Sequence, residues 1–235
     1  MLKIAITAGH HKYTTGKRIP KELDKNETSE WTLNARIAEK VEQKLKAYEG
    51  YELLRTDDRT GEKGISNDER IAKANRFDAD IYLSIHHNAG INGGKGGGIV
   101  AYTYTRVDQI TKEWQKELYD ALIKRTGLKG NRAKPLSTGD YQVLRETKMP
   151  AVLLELGFMD SATDAPIILS EEFADSCAEA ITEVLVKRGG LKAKPEEVRY
   201  IVQTGAFSKR ENAEKQVAEL KTKGFEAIIK QINES

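Results

Sequence analysis

Cysteine is almost absent from this 235-residue chain. Cys177 is the single one, so no intrachain disulfide can form and the fold does not depend on an oxidising compartment. It lies in the apolar-periodic stretch EEFADSCAEAITEVLVKR and reads as a small core residue. An excess of one charge is lacking too. Lys and Arg number 38 against 36 Asp and Glu, a net charge of +2, which argues against nucleic-acid binding and leaves a mild preference for an anionic polymer such as a bacterial wall. No apolar run approaches the roughly 20 residues of a membrane span. The opening MLKIAITAGHHK turns charged too early for a signal peptide, which reads as a protein made and kept in the cytoplasm unless something else releases it. Histidine is scarce as well. There are four, and they fall in two doublets, His10–His11 and His86–His87, each directly after a short apolar run.

What is present is an alternation of short apolar runs and helical periodicities. Strands are expected at 2–8, 51–56, 80–85, 98–104 and 150–156, and helices at 29–48, 67–77, 110–127 and 171–188. That order predicts an α/β fold, a mostly parallel twisted sheet flanked by helices on both faces. Around GGLKAKPEEVR the periodicity gives way to Gly, Lys, Pro and Glu. The expected organisation is one large domain over 1–188, a linker over 189–197 and a small C-terminal βαβ unit over 198–235.

In an open parallel sheet, ligand sites form beyond the carboxyl ends of the strands. That rule gathers His10 and His11 after strand 2–8, His86 and His87 after strand 80–85, and Glu155 near the end of strand 150–156. A carboxylate inside the apolar run AVLLELGF needs a reason, because burying a lone charge is costly. Zinc suits this set: a catalytic zinc site keeps three protein ligands and an open position, and two histidines with one glutamate is an established combination. Glu30, at the start of the first long helix, is the best-placed carboxylate for the third ligand. Glu155 then serves as the general base, taking a proton from water and returning it to the leaving amine.

Several ordered stretches carry a family resemblance: TAGHH at 7–11, EWTLN at 30–34, LLRTDDR at 53–59, RIAKAN at 70–75, SIHHNA at 84–89 and VLLELGF at 152–158. Over roughly 1–188 the chain resembles the zinc-dependent N-acetylmuramoyl-L-alanine amidases of the family-3 type. In TAGHH the His10 position matches, whereas the Asp and the final Gly of the family's D-x-G-H-G do not. The resemblance implies Zn²⁺ held by His10, Glu30 and His86, with Glu155 as the catalytic carboxylate. It leaves His11 and His87 without a role. The tail YIVQTGAFSKRENAEKQVAELKTKGFEA resembles half of a SPOR peptidoglycan-binding module, which implies a partial wall-binding unit or a homodimer through that unit.

The implied activity is hydrolysis of the amide between N-acetylmuramic acid and L-alanine of the peptidoglycan stem peptide, as in an endolysin or a mother-cell sporulation enzyme. The glycine-rich segment 88–98 and the loop 12–28 are expected to border a groove, with Asn88 as a substrate contact. Two other readings stand beside it: a zinc peptidase cutting within the stem peptide, and a non-catalytic peptidoglycan-binding protein.

Overall fold

The computed structural model describes residues 1–195 and 203–231. In chain order the elements are β1 (Leu2–Ala8), α1 (Glu30–Leu45), β2 (Tyr48–Glu49), β3 (Tyr51–Arg55), α2 (Asn67–Phe77), β4 (Ile81–Asn88), β5 (Ile99–Thr103), α3 (Gln109–Thr126), β6 (Leu136–Thr138), α4 (Gln142–Arg145), β7 (Ala151–Phe158), α5 (Ala165–Ile168), α6 (Glu171–Gly189), β8 (Lys192–Ala193) and α7 (Arg210–Thr222). Helices α1, α2 and α6 start where the sequence supplies a serine cap. Ser29, Ser66 and Ser170 each accept the backbone N–H three residues on, from Thr32, Glu69 and Phe173.

Six strands form one sheet in the order β3-β1-β4-β7-β5-β6. The β3–β1, β1–β4, β4–β7 and β5–β6 pairs are parallel and β5–β7 is antiparallel, so the sheet is mixed but mostly parallel. The reversal has a local cause. The segment joining β4 to β5 has no helix to carry the chain back across the sheet. The chain therefore enters β5 from the edge where β4 ends.

Pleating sorts the layers. Ile4 and Ile6 of β1, Ile81, Leu83 and Ile85 of β4, and Val152 and Leu154 of β7 pack with α1, α3 and α6. Ala5, Tyr82 and Leu153 pack with α2 and α4 on the other face. Burying one such large apolar side chain is worth about 1.5–3 kcal/mol, so a one-residue slip that turned Ile4 and Ile6 away is strongly disfavoured. Cys177 is buried in the larger cluster, among α6 residues.

Two expectations need correction. β4 does not stop at residue 85; it runs through both histidines to Asn88. The expected βαβ tail shows only α7 among its described residues. Residues 203–207 and 225–231 carry no strand, and 199–202 and 232 lie outside the described residues. Helix α7 buries no residue. The first five residues after α6 belong with the larger unit, Met1–Lys194: Leu191 is buried and β8 pairs with β2.

Candidate metal centre

The end of β1 is tightly built. The Gly9 N–H donates to Ile85 O (2.9 Å). A Cβ on Gly9 would lie 2.1 Å from His86 Cε1, so only glycine lets the two strand ends approach. His10 follows with φ of 66°, a left-handed conformation that costs free energy in a residue with a side chain. Arg70 holds it there. Its buried guanidinium donates to Ala8 O (2.7 Å), His10 O (2.9 Å) and Thr7 Oγ1, and its Nε donates to Ile65 O (3.0 Å). These acceptors are carbonyls and a hydroxyl, so the charge serves to pin the turn that presents His10.

Glu30 is the first residue of α1. Its N–H donates to Lys17 O (2.9 Å), and Arg18 bridges to Ser29, so the loop 12–28 folds back on the helix start. The Glu30 side chain is 1% exposed. Oε1 stands 3.1 Å from His86 Nδ1 and accepts the His87 N–H at 3.2 Å. Oε2 stands 3.2 Å from His10 Nε2 and 3.6 Å from Lys17 Nζ, yet accepts no well-aligned hydrogen bond. Burial alone would raise this carboxyl; the two imidazoles beside it more than reverse that and hold it well below the usual carboxylate range.

β4 and β7 bring the remaining groups. His86 and Glu155 are register partners in adjacent parallel strands, with an irregularity in the pairing just after them. Their side chains therefore share the face that also carries Ser84 and Leu153. His86 Nε2 lies 3.1 Å from Ser84 Oγ, which fixes the ring. Burial pushes His86 below its ordinary value, against the pull of Glu30. Burial, then the charge of Glu30, pushes the Glu155 carboxyl up to about 8, with Lys17 acting in the other direction. His87 points to the opposite face, is 2% exposed and is pushed down to about 3 by burial.

His10, Glu30 and His86 each place one ligand atom within 4.8 Å of the others. The donor set fits zinc: two imidazoles, one of them biased to its neutral form by burial, and a carboxylate whose buried Oε2 lacks a hydrogen bond. The other two histidines stand outside this group. His11 is half-buried, and its Nδ1 accepts the Tyr13 N–H at 3.4 Å. His87 is turned away by the pleat. Asn88 ends β4, where its Oδ1 accepts the Ala89 N–H (2.8 Å). The glycine-rich loop beyond it is pinned by Asp160, whose Oδ2 accepts the N–H groups of Gly90, Ile91 and Asn92 at 2.8, 2.8 and 2.7 Å.

Sequence reasoning overlooked Lys17, Ser84 and Arg70. Ser84 and Arg70 head the stretches SIHHNA and RIAKAN, so their motif positions were the available signal. Lys17 had none, because it reaches Glu30 only through the fold of its loop.

Two consequences are measurable. Gly9→Ala is expected to fold, to displace the His86 ring and to lose at least about 10-fold in metal affinity, in line with other disturbances of a ligand's orientation; chelator competition that finds native affinity would show the turn can yield. The second concerns pH. The Glu155 carboxyl has an ordinary value of 4.5 and a folded value of about 8, so the native metal-free protein keeps a proton that the unfolded chain releases. That stabilisation is complete below pH 4.5 and is lost as pH rises through 8. Metal-free Glu155→Gln should therefore gain on the wild type by up to about 1.4 kcal/mol per pH unit across this window. Urea midpoints of the two proteins at several pH values test it, and a constant difference would refute it.

Comparison with known proteins locates the chain. The N-acetylmuramoyl-L-alanine amidase family profile matches residues 4–187, and that of the SPOR domain matches 196–235. The chain is 33% identical over 230 residues to the sporulation-specific N-acetylmuramoyl-L-alanine amidase of Bacillus subtilis, covering 97% of this chain and 84% of that protein. It is 38% identical over 136 residues to the endolysin of Bacillus phage SPP1, covering 55% of this chain and 50% of that one. Among solved structures, the catalytic domain of CwlV, an N-acetylmuramoyl-L-alanine amidase from Bacillus (Paenibacillus) polymyxa, superposes with a TM-score of 0.70 at 26% identity, covering 82% of this chain and all of that one.

Proposed function

Since the chain belongs to the N-acetylmuramoyl-L-alanine amidase family, we propose that His10, Glu30 and His86 hold a zinc ion and that Glu155 moves the proton in the reaction. The reaction is hydrolysis of the amide between N-acetylmuramic acid and L-alanine in peptidoglycan. Membership answers the two other readings, a peptidase cutting within the stem peptide and a non-catalytic wall binder.

One observation supports the site reading above the rest: a buried Glu30 lies between two imidazoles with Oε2 unbonded, while Glu155 stands in register beside one of them. Zinc, when bound, supplies a Lewis acid that polarises the scissile carbonyl and acidifies water. The chain's own groups do the rest. Arg70 and Gly9 present His10, Ser84 orients His86, and Glu155 takes the water proton and returns it to the L-alanine nitrogen as the amide breaks. A carboxyl raised towards neutrality suits both halves of that exchange. Asn88 contacts substrate at the mouth of the pinned loop.

We assign catalysis to 1–188 and wall binding to 198–235; of the connecting stretch 189–197, the residues up to Lys194 stay with the catalytic unit. Exposed Phe207, Phe225, Ile228 and Ile229 in the tail support its pairing with a second copy, so that two half-modules complete one another. The sporulation-specific relative aligns along nearly the whole chain, which favours a lytic enzyme made in the cytoplasm and acting on the wall after mother-cell lysis. The endolysin relative supports release by a phage in the same way.

Digestion of purified peptidoglycan is expected to expose new L-alanine amino termini, with about one zinc bound per chain. Wild-type protein that digests the wall with no bound metal would sink the zinc assignment while leaving the amidase intact.

A further inference from the structure

We propose that His87 is a positioning residue for the metal centre: through Asn34 it fixes which oxygen of Glu30 faces the metal. This inference rests on the zinc-site reading above.

The second histidine of the IYLSIHHN strand is turned into the opposite layer by the pleat, where it meets α1. His87 Nδ1 lies 2.8 Å from Asn34 Oδ1, and both side chains are buried. Asn34 Nδ2 donates to Gly9 O at 3.2 Å, so the amide oxygen must be the atom facing His87 and the Nδ1 of His87 must carry the proton. The same Nδ2 lies 3.5 Å from Glu30 Oε1, which also accepts the backbone N–H of His87 at 3.2 Å. Donors therefore crowd one oxygen of Glu30 and leave Oε2 unbonded.

Asn34 thus ties together the turn before His10 and the carboxylate between the imidazoles, and His87 decides its orientation. Without the Nδ1–H, Asn34 Oδ1 is a buried acceptor with no donor, and nothing opposes an amide flip. A flipped Asn34 would set its oxygen against Gly9 O and Glu30 Oε1, pushing both away. His86 and His87 then have complementary tasks on the two faces of one strand: one is a ligand, and the other holds a ligand from behind.

The test compares wild type, His87→Leu and His87→Asn. Asparagine places an Nδ2 donor close to where the histidine Nδ1 stood. Zinc affinity is measured by chelator competition, together with the visible spectrum of the cobalt(II)-substituted proteins and the unfolding midpoint of the metal-free ones. His87→Leu is expected to bind zinc about 10–100-fold more weakly, with an altered cobalt spectrum, and His87→Asn to recover most of the affinity. If His87→Leu does not fold, His87→Phe keeps the ring without the donor and carries the same expectation. Native zinc affinity and cobalt spectrum in a folded apolar variant overturn the proposal, as does a His87→Asn protein no better than His87→Leu. A wild type that binds no zinc sinks the site reading itself, whereas a wild type that binds it no more tightly than His87→Leu sinks only this inference.

Discussion

Glu155→Gln is expected to fold, to bind zinc as the wild type does, and to hydrolyse purified peptidoglycan about 10²–10⁴ times more slowly. The substitution keeps the shape of the side chain and removes only its capacity to exchange a proton. Folding tolerates it because the metal-free native state already favours the neutral acid up to about pH 8. Catalysis does not, because in the proposed mechanism the same group serves as base towards water and as acid towards the departing nitrogen. A loss of 10²–10⁴ is about 3–5 kcal/mol of transition-state stabilisation, which is the size expected for one proton-transfer group. Zinc is retained because Glu155 is a strand neighbour of His86 and not one of the three converging donors. Release of amino termini from wall, with metal content measured on the same samples, decides it. A variant within tenfold of wild type would move the proton-transfer role to another residue.

The chemistry of the site was more legible in the sequence than its geometry. His10, Glu30, His86 and Glu155 each sat in an ordered motif, and a helix or strand boundary lay within a few residues of each. The role of the second member of each doublet was not legible, because the apolar run ends at Ile85 and the pattern gives no sign that the strand continues. Alternation then decides: His86 joins Ser84 on one face while His87 joins Ile85 on the other. The antiparallel β5 escaped for a similar reason. Its residues read as any buried strand, and direction is set by the helix-free connection before it. Short elements such as β6, α4 and α5, of three or four residues, carry too few periods to detect. Lys17 and Arg70 are matters of long-range placement. Arg70 acts on backbone carbonyls near residue 10, about sixty positions away, and local pattern does not record such a contact. The tail divides the same way. Its helix is written in its own periodicity, whereas the strands expected beside it are absent from the described residues 203–207 and 225–231.

Replacing a proposed ligand should be more damaging still. His10→Ala and His86→Ala are expected to leave dialysed protein with almost no zinc and wall hydrolysis at background, while His11→Ala keeps both. The geometry gives the reason for the asymmetry. The rings of His10 and His86 flank the buried Glu30 carboxylate, and removing either leaves two donors, too few for a catalytic zinc site. His11 instead faces Tyr13 and the Gly64 backbone, outside the converging atoms. Glu30→Gln completes the series and adds a readout independent of activity. The folded value of Glu30 is depressed, so in metal-free protein its stabilisation is present above the ordinary carboxylate value of 4.5 and is lost as pH falls below it. The variant, with no proton to take up there, should lose less stability than the wild type on acidification from neutral pH. Zinc retained by His10→Ala, or lost from His11→Ala, would place the ligand on the other member of the first doublet. A wild type and a Glu30→Gln variant that respond alike to acid would show that the imidazoles do not hold this carboxylate charged.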